Sequence, residues 1–158
     1  MADPLSITAS IVGVTVPALH GIRLLLDDLQ SIKDAPETVN GLKDDLLSVD
    51  MALTSLQTVK DGEWELLGGT VADHATATII TCTRACDMFR ADLQRWTSHS
   101  PDGKLSWQDR AKVGFLKQGR IRSMLEQLHS YQTTITSVVS IATLYVIPTG
   151  HLPGSWSH

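Results

Sequence analysis

The chain has 158 residues, of which 42% are hydrophobic, 19% charged and 5% aromatic. A polymer of that length makes one domain, or one domain with a tail, and buries about 68–70% of its extended surface without staples. Thirteen basic against seventeen acidic side chains disfavour a general nucleic-acid binder, two cysteines exclude a disulfide scaffold, and the length excludes a large multidomain enzyme.

The chain opens on an uncharged run. From Pro4 to Ile22 there is no Asp, Glu, Lys or Arg, a stretch close to the length of a membrane span. Ser6, Thr8, Ser10, Thr15, Pro17 and His20 interrupt it, and Asp3 stands where a secretory leader carries basic residues. Ile7, Ile11, Val14, Ala18, Ile22, Leu25 and Leu29 recur at three- and four-residue intervals and form one apolar stripe on a helix. The run therefore reads first as a buried bundle helix. A membrane-interacting helix that also packs is the second reading, and a signal or permanent span the third. Asp3 and Pro4 suit an N-cap and first turn. Pro17 removes one intrahelical hydrogen bond, which predicts a kink.

A second helix follows the break at Lys33 to Pro36, with Asp34 as its expected cap. Its stripe is Val39, Leu42, Leu46, Val49, Leu53 and Leu56, again at helical spacing. It should end near Asp61 and Gly62. Trp64, Leu66 and Leu67 then precede Gly68 and Gly69 and are too apolar for a bare linker, so they are expected to fold over the bundle end. The third long helix runs from about Thr70 to Trp96, with Ala75, Ile79, Cys82, Cys86, Phe89, Leu93 and Trp96 on one face. Its β-branched cluster from Thr76 to Thr83 also suits a strand. The absence of a second strand of similar quality favours the helix. After the turn-rich Ser98 to Gly103, Gly114 and Gly119 are expected to divide a short helix, about 106–116, from a long one, about 118–145. Prolines and glycines after Tyr145 are expected to end regular structure. The sum is an all-α, up-and-down bundle of four to five helices with a kinked apolar N-terminal helix. It occupies residues 1–146, and 147–158 form a flexible tail.

No motif supplies enzymatic chemistry, and the chain reads as non-enzymatic with no cofactor. Cys82 and Cys86 lie one helical turn apart and could share a metal, but His74 is off their stripe and packing is the simpler account. Asp73 and His74 are adjacent on a helix and do not face each other. Neither an HExxH helix nor a GxSxG elbow occurs. The charge distribution is more informative. Lys104, Arg110, Lys112, Lys117, Arg120 and Arg122 are opposed in their segment only by Asp109, whereas residues 1–103 carry seven basic and fifteen acidic groups. Such a segment is either an ordinary solvated face, a patch for anionic lipid headgroups or a patch for an acidic protein partner, with nucleic acid the weakest candidate.

The opening MADPLSITASIVG (Met1 to Gly13) resembles the start of the fungal Helo-like N-terminal domain. That domain heads many fungal STAND (NLR-like) receptors and occurs in the azaphilone pigment cluster protein L. Looser agreement follows at Leu42 to Leu56, Cys82 to Leu93 and Arg120 to Ile135, so that the resemblance spans about Met1 to Leu144. It implies a helical bundle used for signalling, oligomerisation or membrane targeting, and relatives are described as cell-death executioners that act at membranes through the first helix. By position, Leu5, Ile7, Ile11, Val12, Val14, Val16 and Pro17 would carry membrane contact or self-association. The basic residues from Lys104 to Arg122 would meet anionic lipid or a partner. No GxxxxGK[ST] loop is present, so nothing of a receptor's nucleotide-binding part is implied. A cytoplasmic protein with peripheral membrane association, not a secreted one, is the expected setting. The alternative is an accessory protein of a pigment-type cluster that binds an apolar small molecule, with Trp64, Trp96, Trp107 and Phe115 lining its site.

Overall fold

In a computed structural model, the backbone is described for residues 4–32, 35–97 and 111–155, and side chains for 7–32, 35–96 and 117–144. Among these residues the chain forms five helices and no strand: α1 (Pro4–Gln30), α2 (Glu37–Leu56), α3 (Asp61–Leu67), α4 (Gly69–Thr97) and α5 (Ala111–Ser155). Every position of the α2 stripe is buried, as are the α4 stripe from Ala75 to Leu93 and Ile11, Ala18, Ile22, Leu25 and Leu29 of α1. Each large aliphatic side chain so enclosed contributes about 1.5–3 kcal/mol.

The threonine-rich part of α4 is helical. Its hydroxyls donate to carbonyls one turn back: Thr76 to Ala72, Thr78 to His74, Thr81 to Ala77 and Thr83 to Ile79, all at 2.9 Å. Thr133 and Thr143 of α5 do the same. Each hydroxyl finds its partner inside the helix, so the β-branched cluster costs only a few tenths of a kcal/mol per residue in propensity. Packing against the core outweighs that.

Long helices alternate in direction along the chain, but the order around the bundle is α1, α2, α5, α4. α1 packs on α2 and α4, and α5 packs on the same two; among the described residues α1 and α5 are not neighbours, nor are α2 and α4. The connection from α2 to α4 therefore crosses a diagonal, and α2 runs parallel to its neighbour α5 as α1 does to α4. α3 makes that crossing and closes one end of the core with Trp64, which is 1% exposed, while touching α1, α4 and α5. Gly68, at φ +92°, turns α3 into α4 in a single residue and donates its N–H to the Trp64 carbonyl at 3.1 Å. Only glycine takes that backbone without strain.

Three expectations need correction. α5 is not divided at Gly114 and Gly119 but runs continuously from Ala111. Glycine weakens a helix by about 1 kcal/mol, which is small beside the burial of Ile121, Met124 and Leu128 further along α5. Regular structure does not stop after Tyr145, because the helical backbone continues to Ser155 through Pro148 and Pro153. Each proline loses a donor yet keeps a helical φ. α2 stops at Leu56 rather than near Asp61, where α3 begins. The N-cap of α2 is Pro36, without a side-chain hydrogen bond, and Asp34 lies outside the described residues.

Candidate functional site: a two-part N-terminal helix and a cationic bundle end

α1 is unbroken through Pro17, and its two halves are held differently. Beyond the proline, Ala18, Leu19, Ile22, Leu25, Leu26 and Leu29 are all buried. Two ion pairs flank them: Arg23 Nε donates to Asp50 of α2 at 3.0 Å, and Arg90 of α4 donates to Asp28 at 2.8 Å. The Asp50 hydrogen bond holds the Arg23 guanidinium more firmly protonated than usual. Among the described side chains before the proline, only Ile11 and Thr15 are fully buried, with Ile7 and Val14 half-buried. Thr15 satisfies its hydroxyl on the Ile11 carbonyl at 2.6 Å, and Thr8 donates to Asp61 of α3. Val12 (40%) and Val16 (54%) are exposed, and Gly13 and Pro17 share their solvent side. Leu5 lies outside the described side chains.

The opposite end of the bundle is built around α4 and α5. Phe89 and Trp96 meet edge to face, with ring centroids 5.9 Å apart and planes at 88°. Lys117 is only 2% exposed, and its Nζ sits 5.5 Å from the Trp96 centroid. The Arg120 guanidinium lies 5.5 Å from the Phe89 centroid and donates through Nε to Asp92 at 2.8 Å. Asp92 also accepts from Arg95. Cations over ring faces gain most where water is excluded. Of the six basic residues singled out in the sequence, Lys117 and Arg120 are thus engaged by the bundle itself, and Arg122 is exposed. The side chains of Lys104, Arg110 and Lys112 lie outside the described residues. The sequence count of charges gave no sign that Asp92 would face Arg120, because that pairing depends on α4 and α5 running antiparallel. Ile11 and Arg120 lie near opposite ends of the bundle, about 25–30 Å apart along its axis at 1.5 Å per residue.

Cys82 and Cys86 are free and buried. Their mutual hydrogen bond, with burial adding to it, pushes the Cys86 thiol well above the ordinary thiol range. Burial likewise raises the Tyr131 phenol, helped by the two cysteines. Trp64 and Trp96, expected to share one apolar site, do not. Trp64 closes the α3 end and Trp96 stands near the far end of α4, about 40 Å away by helical rise. Trp107 and Phe115 lie outside the described side chains.

Among the described residues no group of three or more His, Cys, Asp or Glu side chains could hold a metal ion. Helices α1, α2, α4 and α5 around one core, with α3 across an end, form a bundle of the kind that a non-enzymatic interaction module uses. The chain belongs to the family described as Pigment biosynthesis cluster protein PigL N-terminal, which matches residues 2–149. This is the fungal Helo-like bundle that its opening residues resemble. No curated protein and no solved structure was found to match the chain.

Proposed function

We propose that the protein is a signalling module of the fungal STAND-receptor type, working at a membrane through the first half of α1. One observation carries this reading. Ile7–Gln30 is long and apolar enough to cross a membrane, with a mean hydropathy of 1.6, yet less than half of its most apolar stretch is buried. A core helix usually spends its apolar residues inside; this one keeps Val12 and Val16 outside.

Energetics indicate which part moves. Leu19, Ile22, Leu25, Leu26 and Leu29, all beyond Pro17, are buried. Exposing them costs about 1.5–3 kcal/mol each, and together about 8–15 kcal/mol. That equals the whole stability of a typical domain, about 5–15 kcal/mol. Among the described side chains, releasing the segment before Pro17 exposes Ile11 and the half-buried Ile7 and Val14, about 3–6 kcal/mol. Leu5, Ile7, Ile11, Val12, Val14 and Val16 then supply the apolar surface that a bilayer or a second copy re-buries, and Pro17 is the hinge. The basic run of the sequence from Lys104 to Arg122, of which Arg122 is described and exposed, serves a separate contact with an acidic partner or anionic headgroups.

Flotation with anionic vesicles tests this. Deleting residues 1–22 would remove Ile11, Ala18, Leu19 and Ile22 from the core, so surface changes are the cleaner probe. The double variant Val12→Asp, Val16→Asp should float at least several-fold less while melting within about 2 °C of the native chain. Equal flotation by both would remove α1 from the mechanism. The family's description as a pigment cluster protein favours one second reading, an accessory role in such a cluster. Binding of an apolar pathway intermediate that leaves vesicle flotation unaffected would distinguish it.

A further inference from the structure

The furrow between α4 and α5 on the outside of the bundle has two unlike ends. One is a cavity of about 550 Å³ lined by Arg84, Met88, Asp92, Arg120, Gln127 and Tyr131. The other is a cavity of about 420 Å³ toward the α3 end, where Val71 of α4 faces Val138 and Ile141 of α5. The centres of the two lie about 15 Å apart along the helices, ten residues at 1.5 Å each from Arg84 to His74. Both volumes fall within the range of small-molecule sites, about 300–1,000 Å³.

Charge is confined to the first end. Arg84 is exposed and has no ion pair among the described residues. Arg120 is fixed from two sides: the Phe89 ring lies 5.5 Å from its guanidinium carbon, and its Nε is committed to Asp92 at 2.8 Å. Its terminal nitrogens are left in a set orientation. Asp92 neutralises one of the two arginines, so the cavity keeps one net positive charge. Gln127 adds an amide, and Tyr131 a phenol that burial keeps protonated and able to donate. The second end offers Val71, Val138 and the 40%-exposed Ile141, with no acidic or basic side chain among its lining residues other than His74.

We infer that this furrow binds a single-chain anionic amphiphile as a soluble monomer, its phosphate or carboxylate head at Arg84 and Arg120 and its hydrocarbon chain running past Tyr131 to Val138 and Ile141. A fixed arginine loses little freedom on meeting an oxyanion, and the fork of N–H donors matches that head. An alkyl chain of about a dozen carbons spans the separation of the two cavities. None of the residues lining the two cavities belongs to α1, so this site stands apart from the membrane reading.

The probe is dodecyl phosphate, kept below its micelle concentration and titrated calorimetrically into the full chain. Saturable one-to-one binding is expected. Arg84→Glu should weaken it at least tenfold, and Ile141→Asp by a similar factor, since either end loses its complement. Lys43→Glu of α2 carries the same charge change outside the furrow and should leave affinity within twofold. Arg84→Glu is a surface change and keeps the test valid even if Ile141→Asp impairs folding. The inference is overturned by absent or unsaturable binding, or by equal weakening in Lys43→Glu. It also fails if inorganic phosphate or dodecyl maltoside binds as tightly as dodecyl phosphate, or if only anionic vesicles bind in an Arg84-dependent way.

Discussion

Trp64→Ala is the most searching single substitution for the bundle. α3 has seven residues, too few to hold its shape alone, because helices shorter than about 12–15 residues are marginal in water. Its attachment depends on the 1%-exposed Trp64, since Leu66 is 60% exposed and Leu67 only half-buried. Truncating an enclosed tryptophan costs about 3–5 kcal/mol. For a chain of this length each kcal/mol shifts the melting temperature by about 2–4 °C, so a fall of about 6–20 °C is expected. α3 also carries Asp61, the acceptor for Thr8 of α1. Loosening it should free the first half of α1 and increase flotation with anionic vesicles. Thermal melts followed by circular dichroism, beside flotation of the same sample below its transition, read both effects. A fall of less than 2 °C would refute the role given to Trp64, and unchanged flotation would refute the coupling of α3 to α1.

Four further outcomes follow from particular contacts. Gly68→Ala should destabilise by about 1–3 kcal/mol in urea titrations; nothing lies within 4 Å of the added carbon, so the cost is conformational alone. Asp92→Ala removes the acceptor of both Arg120 and Arg95 and should cost about 1.5–3 kcal/mol, whereas Asp50→Ala, whose partner Arg23 is 60% exposed, should cost clearly less because solvent screens that pair. Cys86 has its pKa raised on folding, so its contribution is intact below the unfolded value of about 8.5 and is lost as pH rises above it. Stability should fall by up to about 1.4 kcal/mol per pH unit between pH 9 and 10, and Cys86→Ala should reduce that slope; an identical slope in both proteins would contradict the buried, protonated thiol. Thr78→Ala, at the partly exposed edge of α4, should be neutral or stabilising by a few tenths of a kcal/mol, since the hydroxyl it removes bonds only its own helix.

Periodicity made most of this bundle legible. Val39 to Leu56 read as one stripe and is one, and Ala75 to Leu93 fared equally well despite the threonines, because three- and four-residue spacing reports burial whatever the local propensity. Spacing does not report which helices are neighbours. The diagonal crossing by α3 depends on distances that no stretch of sequence carries, and the pairing of Asp92 with Arg120 depends on the register between α4 and α5, which spacing does not report either. Lys117 misled for a different reason. A lysine in a basic run reads as solvated, yet a long apolar stem lets it lie inside against Trp96. Gly114 and Gly119 were read as a break because propensity penalises glycine, yet α5 runs through both, and beyond Gly119 its Ile121, Met124 and Leu128 are buried. Of the candidate site, the apolar run was visible from the outset. Its division at Pro17 into a lightly held and a firmly held half required the burial of individual leucines and the two ion pairs.

Native-state hydrogen exchange along α1 tests the central claim most directly. If residues 4–16 detach as a unit, amides from Thr8 to Val16 should exchange through a local opening several kcal/mol less costly than the one limiting Leu19 to Leu29. Amides beyond Pro17 should match those of α4 around Cys82 and Cys86. Uniform protection from Thr8 to Leu29, equal to that of α4, would show that α1 opens only with the whole bundle and would contradict the account.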